Sequence, residues 1–136
     1  MRLADWSRDQ PTLRRIRRTV FVDEQNVPEE LEWDGIDGDC RHAIAENDAG
    51  EPIGCARLLP DGHIGRMAVL ASGRGHGVGS ALLERMIVLA SELGHKRVVV
   101  NAQTHAVAFY ERHGFAAFGP EFDDAGIPHR AMERCV

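Results

Sequence analysis

Apolar residues change spacing several times along the chain, and each change marks an element. The opening "MRLADW" alternates and predicts a short strand. Leu13, Ile16, Val20 and Phe21 then recur on one helical stripe and predict a helix over about 8–21. Ser7, with Gln10 three residues on, resembles a capping box, and Pro11 suits a first turn. The arginines between the stripe positions read as a solvated face. From Val22 to Cys40 the pattern lapses into a long irregular loop with room for one short helical turn. "RHAIAEND", "EPIGCARLLP" and "GHIGRMAVL" are short apolar runs separated by the turn signals "NDAGEP" and "PDG". They predict three consecutive antiparallel strands. Leu82, Met86, Leu89 and Leu93 predict a helix from Val78 to about Leu93, stopped by Gly94. "KRVVVNAQ" predicts a buried strand. "THAVAFYERH" predicts a helix, with Thr104 as N-cap and Gly114 as its stop. "FAAFG" and "IPHRAMERCV" predict two closing strands. The order β-α-loop-β-β-β-α-β-α-β-β is mixed α/β.

A chain of 136 residues, 43% hydrophobic and 27% charged, suits a single globular domain spanning 1–136. A net charge of −5 argues against nucleic acid as a partner. No apolar run reaches the roughly 18 residues of a membrane span, and the N-terminus lacks a secretory h-region. Cys40, Cys55 and Cys135 are odd in number and form no CxxC pair, which fits a reducing, cytoplasmic setting. "CRH" at 40–42 is too isolated to predict a metal site.

The chemistry concentrates in "LASGRGHGVGSALLERM", residues 70–86, where glycines cluster between a strand and a helix. Free amides at a helix N-terminus attract anions, and glycine lets the backbone approach them closely. Arg74 adds a charge that can pair with phosphate. A Walker A loop needs lysine before Ser80, and Gly79 stands there. A dinucleotide fingerprint needs GxGxxG, and the spacing here is GxGxG. A nucleotide-binding protein is therefore disfavoured. The bland alternative is a tight strand-to-helix turn.

The spacing Arg74-x-x-Gly77-x-Gly79 after "IGRMAVL", with "AVAFYERHGF" at 106–115 behind the strand "RVVVNAQ", resembles the GNAT superfamily of N-acetyltransferases. "VFVDEQNVPEELEWDGID" and "GIPHRAM" are most similar to its ElaA-like branch. The resemblance implies a central, mostly antiparallel twisted sheet flanked by helices and splayed between the fourth and fifth strands. It implies direct transfer of acetyl from acetyl-CoA to an amine of a small molecule, and a possible homodimer. Arg74, Gly75, His76, Gly77, Val78, Gly79 and Ser80 would hold the pyrophosphate. Met67, Ala68 and Val69 would run beside the pantetheine arm, with a backbone N–H near Ala68 or Val69 polarising the thioester carbonyl. Tyr110, the only tyrosine, would protonate the leaving thiolate; its bland alternative is a core aromatic. Many members carry Asn seven residues before that tyrosine, and this chain has Gln103.

An amine acceptor must lose a proton, so a general base is needed. Candidates are Glu24, Glu32, Asp34, His42 and His129, with Glu24 and His129 in the ElaA-like segments. Eight carboxylates and no Lys or Arg lie between Asp23 and Asp39. They form either an acidic rim that attracts cationic amines or an ordinary solvated loop. Trp33 among them either anchors the loop or lines the acceptor pocket beside Glu32 and Asp34. The alternative to an enzyme is a non-catalytic acyl-CoA sensor on the same fold. Tyr110 favours the enzyme, because a sensor needs no leaving-group acid.

Overall fold

The computed structural model describes all residues, Met1–Val136. β1 (Arg2–Ala4) leads into α1 (Trp6–Arg17). The N-cap is Asp5 rather than Ser7: the Asp5 carboxylate accepts the Ser7 N–H at 3.2 Å. Pro11 sits beyond the first turn, inside the helix. α1 does not stop at residue 21. It continues through Arg18–Glu24 as a π-helical segment, closed by the Gln25 N–H on the Val20 carbonyl at 3.2 Å. Such wide turns recur at functional sites.

The following segment is less irregular than the sequence implies. It carries α2 (Glu29–Glu32) and a 3₁₀ turn at Asp37–Asp39. A buried ion cluster holds it down. Arg17, 1% exposed, pairs with Glu32 at 2.8 Å and Asp37 at 2.7 Å. Arg57 joins Asp37 at 3.1 Å and Asp34 at 2.9 Å. So one α1 arginine is core, not solvated face. A buried guanidinium requires this saturation with carboxylates.

β2 (Arg41–Glu46), β3 (Pro52–Leu58) and β4 (Ile64–Val69) complete an antiparallel sheet in the order β1-β2-β3-β4. Its two faces feed two cores. Ala43 and Ala45 of β2 pack under α3 (Val78–Glu92) with Leu82, Leu83 and Met86, while Ile44 faces Leu13 and Ile16 of α1. A strand covered on both faces reads as a continuous apolar run rather than an alternation. At the end of α3, Leu93 is 45% exposed and serves as the C-cap instead of extending the buried stripe. Gly94 follows at φ +90°.

β5 (Arg97–Gln103), β6 (Ala116–Asp124) and β7 (Ile127–Cys135) form a second antiparallel sheet in the order β5-β7-β6. Thr104 is not an N-cap. It opens a 3₁₀ turn, Thr104–Ala106, that precedes α4 (Val107–Arg112). Gly114, at φ +84°, ends α4 as expected. β6 runs well past "FAAFG", kinked by a register shift between Phe118 and Phe122 that accommodates Pro120. The fold is mixed α/β, and the splay falls between β4 and β5, joined only by a bridge from His63 to Val99.

Candidate active site

The splay leaves β4 with one open edge. Pairing Arg57 with Gly65 but Cys55 with Ala68 places one extra residue in β4. Arg66 absorbs it at φ +47°, a left-handed conformation rare for a non-glycine residue within a strand. Beyond the bulge, the Leu70 N–H donates to Ile53 on β3. Strand alternation then turns the backbone groups of Met67 and Val69 toward the open edge, and those of Ala68 toward β3. Of the two amides proposed to polarise a carbonyl, Val69 is the one on the free side. The Ala68 side chain lies in the α1 core.

The glycine loop abuts this edge. Gly75 and Gly77 have φ of +80° and +76°, with nothing within 4 Å of where a Cβ would stand. Gly77 is the N-cap of α3 and supplies no side-chain hydrogen bond. The backbone N–H groups from Gly75 to Ser80 have no protein acceptor, a run of free donors at a helix N-terminus. Gly73 has a different role: a Cβ there would lie 3.0 Å from Ile53 Cδ1. Arg74 donates through Nε to the Val69 carbonyl at 2.9 Å and through its terminal nitrogen to Glu24 at 2.6 Å. His76 is exposed.

A cleft of about 370 Å³ opens between the two sheets. Tyr110 lines it, edge-on to Phe109 at 5.1 Å and Phe115 at 5.7 Å. Its hydroxyl meets no protein partner, and burial pushes the phenol up to about 12, so it stays protonated at neutral pH. His129 lines the same cleft, paired with Gln103 across β5 and β7. Its Nδ1 lies 2.6 Å from the Ile127 carbonyl and its ring stacks on Phe122 at 5.8 Å. That bond places the proton on Nδ1 and leaves the Nε2 lone pair free. Gln103 donates to Gln25 at 2.8 Å, tying the end of the π-helical segment to the end of β5.

The other candidates separate. Glu24 lies on Arg74, outside the cleft. Glu32 lines the cleft but is held by Arg17 and, at 3.1 Å, by Arg66. Asp34 lies outside the lining, paired with Arg57 and Arg66. Burial works against its charge, yet these arginines hold its carboxyl below the ordinary range. Trp33 anchors the loop, stacked against Arg14 and Arg17 at 5.2 Å each. His42 is 2% exposed, bonded to the Asp37 carbonyl at 2.9 Å and stacked on Trp6 at 5.1 Å. Five of the eight loop carboxylates are ion-paired, leaving Asp23, Glu30 and Asp39 without a partner. The acidic rim is therefore largely neutralised. Arg57, Arg66, Asn101 and Asp124 also line the cleft, and the sequence reading did not single them out. A strand bulge has no sequence signature that would have flagged Arg66.

Comparison with known proteins agrees with this architecture. The uncharacterized N-acetyltransferase YjcF of Bacillus subtilis is 40% identical over 121 residues, covering 86% of each chain. ElaA of Escherichia coli is 34% identical over 133 residues, covering 91% of this chain and 86% of ElaA. The crystal structure of an acyl-CoA N-acyltransferase from Pseudomonas aeruginosa superposes with a TM-score of 0.86 at 32% identity, covering 98% of this chain and 97% of that one. Residues 3–135 match the sequence model of the acetyltransferase (GNAT) domain, and the chain belongs to the GNAT acetyltransferase family.

Proposed function

We propose that the protein transfers acetyl from acetyl-CoA directly to the amine of a small molecule. The observation that carries this reading is a conjunction. A run of acceptor-free amides from Gly75 to Ser80 adjoins the open edge of β4, and an unpartnered Tyr110 hydroxyl faces the same splay. The free amides and the open space around Gly75 and Gly77 fit a pyrophosphate. The backbone of Met67 offers main-chain hydrogen bonds to an extended arm lying along β4, whereas the Val69 carbonyl is taken by Arg74. Bound acetyl-CoA would supply an activated acetyl group on a thiol leaving group.

The chain's own residues then have three tasks. The Val69 N–H, on the open edge, can donate to a developing oxyanion. His129 Nε2 can accept the proton that the amine must lose, while the Nδ1 bond to Ile127 fixes its tautomer. Tyr110 can give its proton to the departing sulfur. Burial keeps that proton on the phenol at neutral pH, and the same desolvation raises the basicity of a thiolate developing beside it. With Glu24, Glu32 and Asp34 engaged by arginines, His129 is the base we favour. A cytoplasmic setting belongs to the same reading. All three cysteines are free, and no helix is long and apolar enough to cross a membrane.

The test is thiol release from acetyl-CoA across a panel of amines. Release that depends on a particular amine supports the reading. Tight coenzyme binding with no release for any amine would favour the sensor instead.

A further inference from the structure

Outside the cleft, three side chains form a relay between α3 and α4. His113 Nε2 lies 3.0 Å from Ser80 Oγ, and its Nδ1 lies 2.8 Å from Glu84 Oε1. Arg134 of β7 donates to the His113 carbonyl at 2.9 Å and stands 3.5 Å from Glu84 Oε1. The Phe109 ring packs on the imidazole at 5.0 Å. Hydroxyl, imidazole and carboxylate in series also describe a nucleophilic triad. The position argues against that role. None of the three lines the cleft, and Ser80 stands in the first turn of α3 among the free amides, where an anion is drawn rather than an acyl carbon.

We infer that His113 sets the direction of the Ser80 hydroxyl and so couples anion binding at the start of α3 to uptake of a proton. Glu84 accepts the Nδ1 proton whether the ring is neutral or charged. In the neutral ring Nε2 is bare and accepts the Ser80 proton, so Oγ presents only lone pairs to the amide cradle. In the charged ring Nε2–H donates to Oγ, and the hydroxyl proton is free for a phosphate oxygen. By linkage, an anion that takes the Ser80 proton favours the charged imidazole by the same factor. His113 is thus a positioning residue: it acts through Ser80 and does not itself touch the anion. This inference rests on the reading of the loop as a coenzyme pyrophosphate site.

The experiment is calorimetric titration of the full chain with acetyl-CoA from about pH 6 to about pH 8. Paired buffers of different ionisation enthalpy report the protons taken up. Wild-type affinity should fall about tenfold across this range, the size of one hydrogen bond to a charged group. Ser80→Ala and His113→Gln should flatten the fall to that of the coenzyme's own phosphates and reduce the proton uptake. Ser80→Thr, which keeps a hydroxyl, should retain both effects. Equal slopes and equal proton uptake in wild type and Ser80→Ala overturn the relay while leaving the coenzyme site standing. Absence of wild-type binding at every pH overturns the coenzyme reading itself, and the relay with it.

Discussion

Arg74 of the glycine loop and Glu24 at the end of the π-helical segment, fifty residues apart in the chain, meet at 2.6 Å. The arginine expected to receive phosphate is therefore already held by a carboxylate of the element whose Phe21 lines the cleft. A phosphate must compete with Glu24 for it. Glu24→Gln removes the competitor, so acetyl-CoA should bind about two- to fivefold more tightly at low salt, with the gain fading as salt rises. Weaker binding in this variant, measured by calorimetry, would show that Glu24 supports the site rather than competing for Arg74.

The Tyr110 hydroxyl has no protein hydrogen-bond partner, so Tyr110→Phe orphans nothing. Stability should change by less than about 1 kcal/mol. If the hydroxyl protonates the leaving sulfur, kcat should fall about a hundredfold with coenzyme affinity unchanged. Denaturant melts and steady-state kinetics separate the two effects. An unchanged kcat removes Tyr110 from the chemistry.

Gly77 provides a test of conformation against crowding. Its φ is +76° and a Cβ would meet nothing within 4 Å, so substitution there strains the backbone alone. Gly77→Asn, which tolerates left-handed backbone, should keep most of the coenzyme affinity, while Gly77→Val should lose about tenfold or more. Equal affinities in the two variants would mean that the loop geometry does not define the site.

These positions differ in how far the sequence revealed them. The left-handed turn at Gly77 and the helical placement of Tyr110 were legible because local conformation and helix spacing write themselves into residue type. The helix boundaries around Gly94 and Gly114 were legible for the same reason. Arg17 was not. A sequence window ranks an arginine as solvated, and only the arrival of Glu32 and Asp37 from 15 and 20 residues away makes burial possible. Long-range pairing of the same kind engages Glu24 with Arg74 and Asp34 with Arg57. The π-helical turn was hidden because its apolar positions still satisfy an ordinary helical stripe up to Phe21. His129 could be proposed from its segment. The proton-accepting role proposed for its Nε2 depends on the Ile127 carbonyl, which only folding supplies.

The buried cluster has an asymmetric prediction. Arg17→Ala leaves buried Glu32 with Arg66 alone and buried Asp37 with Arg57 alone, and this loss of compensation should cost about 3 kcal/mol in a urea melt. Replacing Arg17, Glu32 and Asp37 together by apolar residues of similar volume should cost less than the single change. The reverse order would mean that the pairs contribute net stability, not only mutual neutralisation.

Acid stability should fall in two steps, and the sign is the same for both. His42 is held below its ordinary value first by burial, with the Asp37 carbonyl opposing. Its folded form binds a proton less readily than the unfolded chain does. Stability is therefore full above about pH 6.5 and declines as pH falls through the interval below it. Asp37 also titrates below its ordinary range: burial resists its charge, but Arg17 and Arg57 prevail. Asp9 is lowered too, chiefly by the Arg2 hydrogen bond. Those contributions are full above about pH 4 and are lost as pH falls further. Melting temperature measured from pH 8 down to pH 3 should show a shallow decline beginning near pH 6.5 and a steeper one below pH 4. His42→Phe keeps the stacking on Trp6 but removes the titrating ring, so it should abolish the first step and spare the second. A first step that survives in this variant assigns it to some other group.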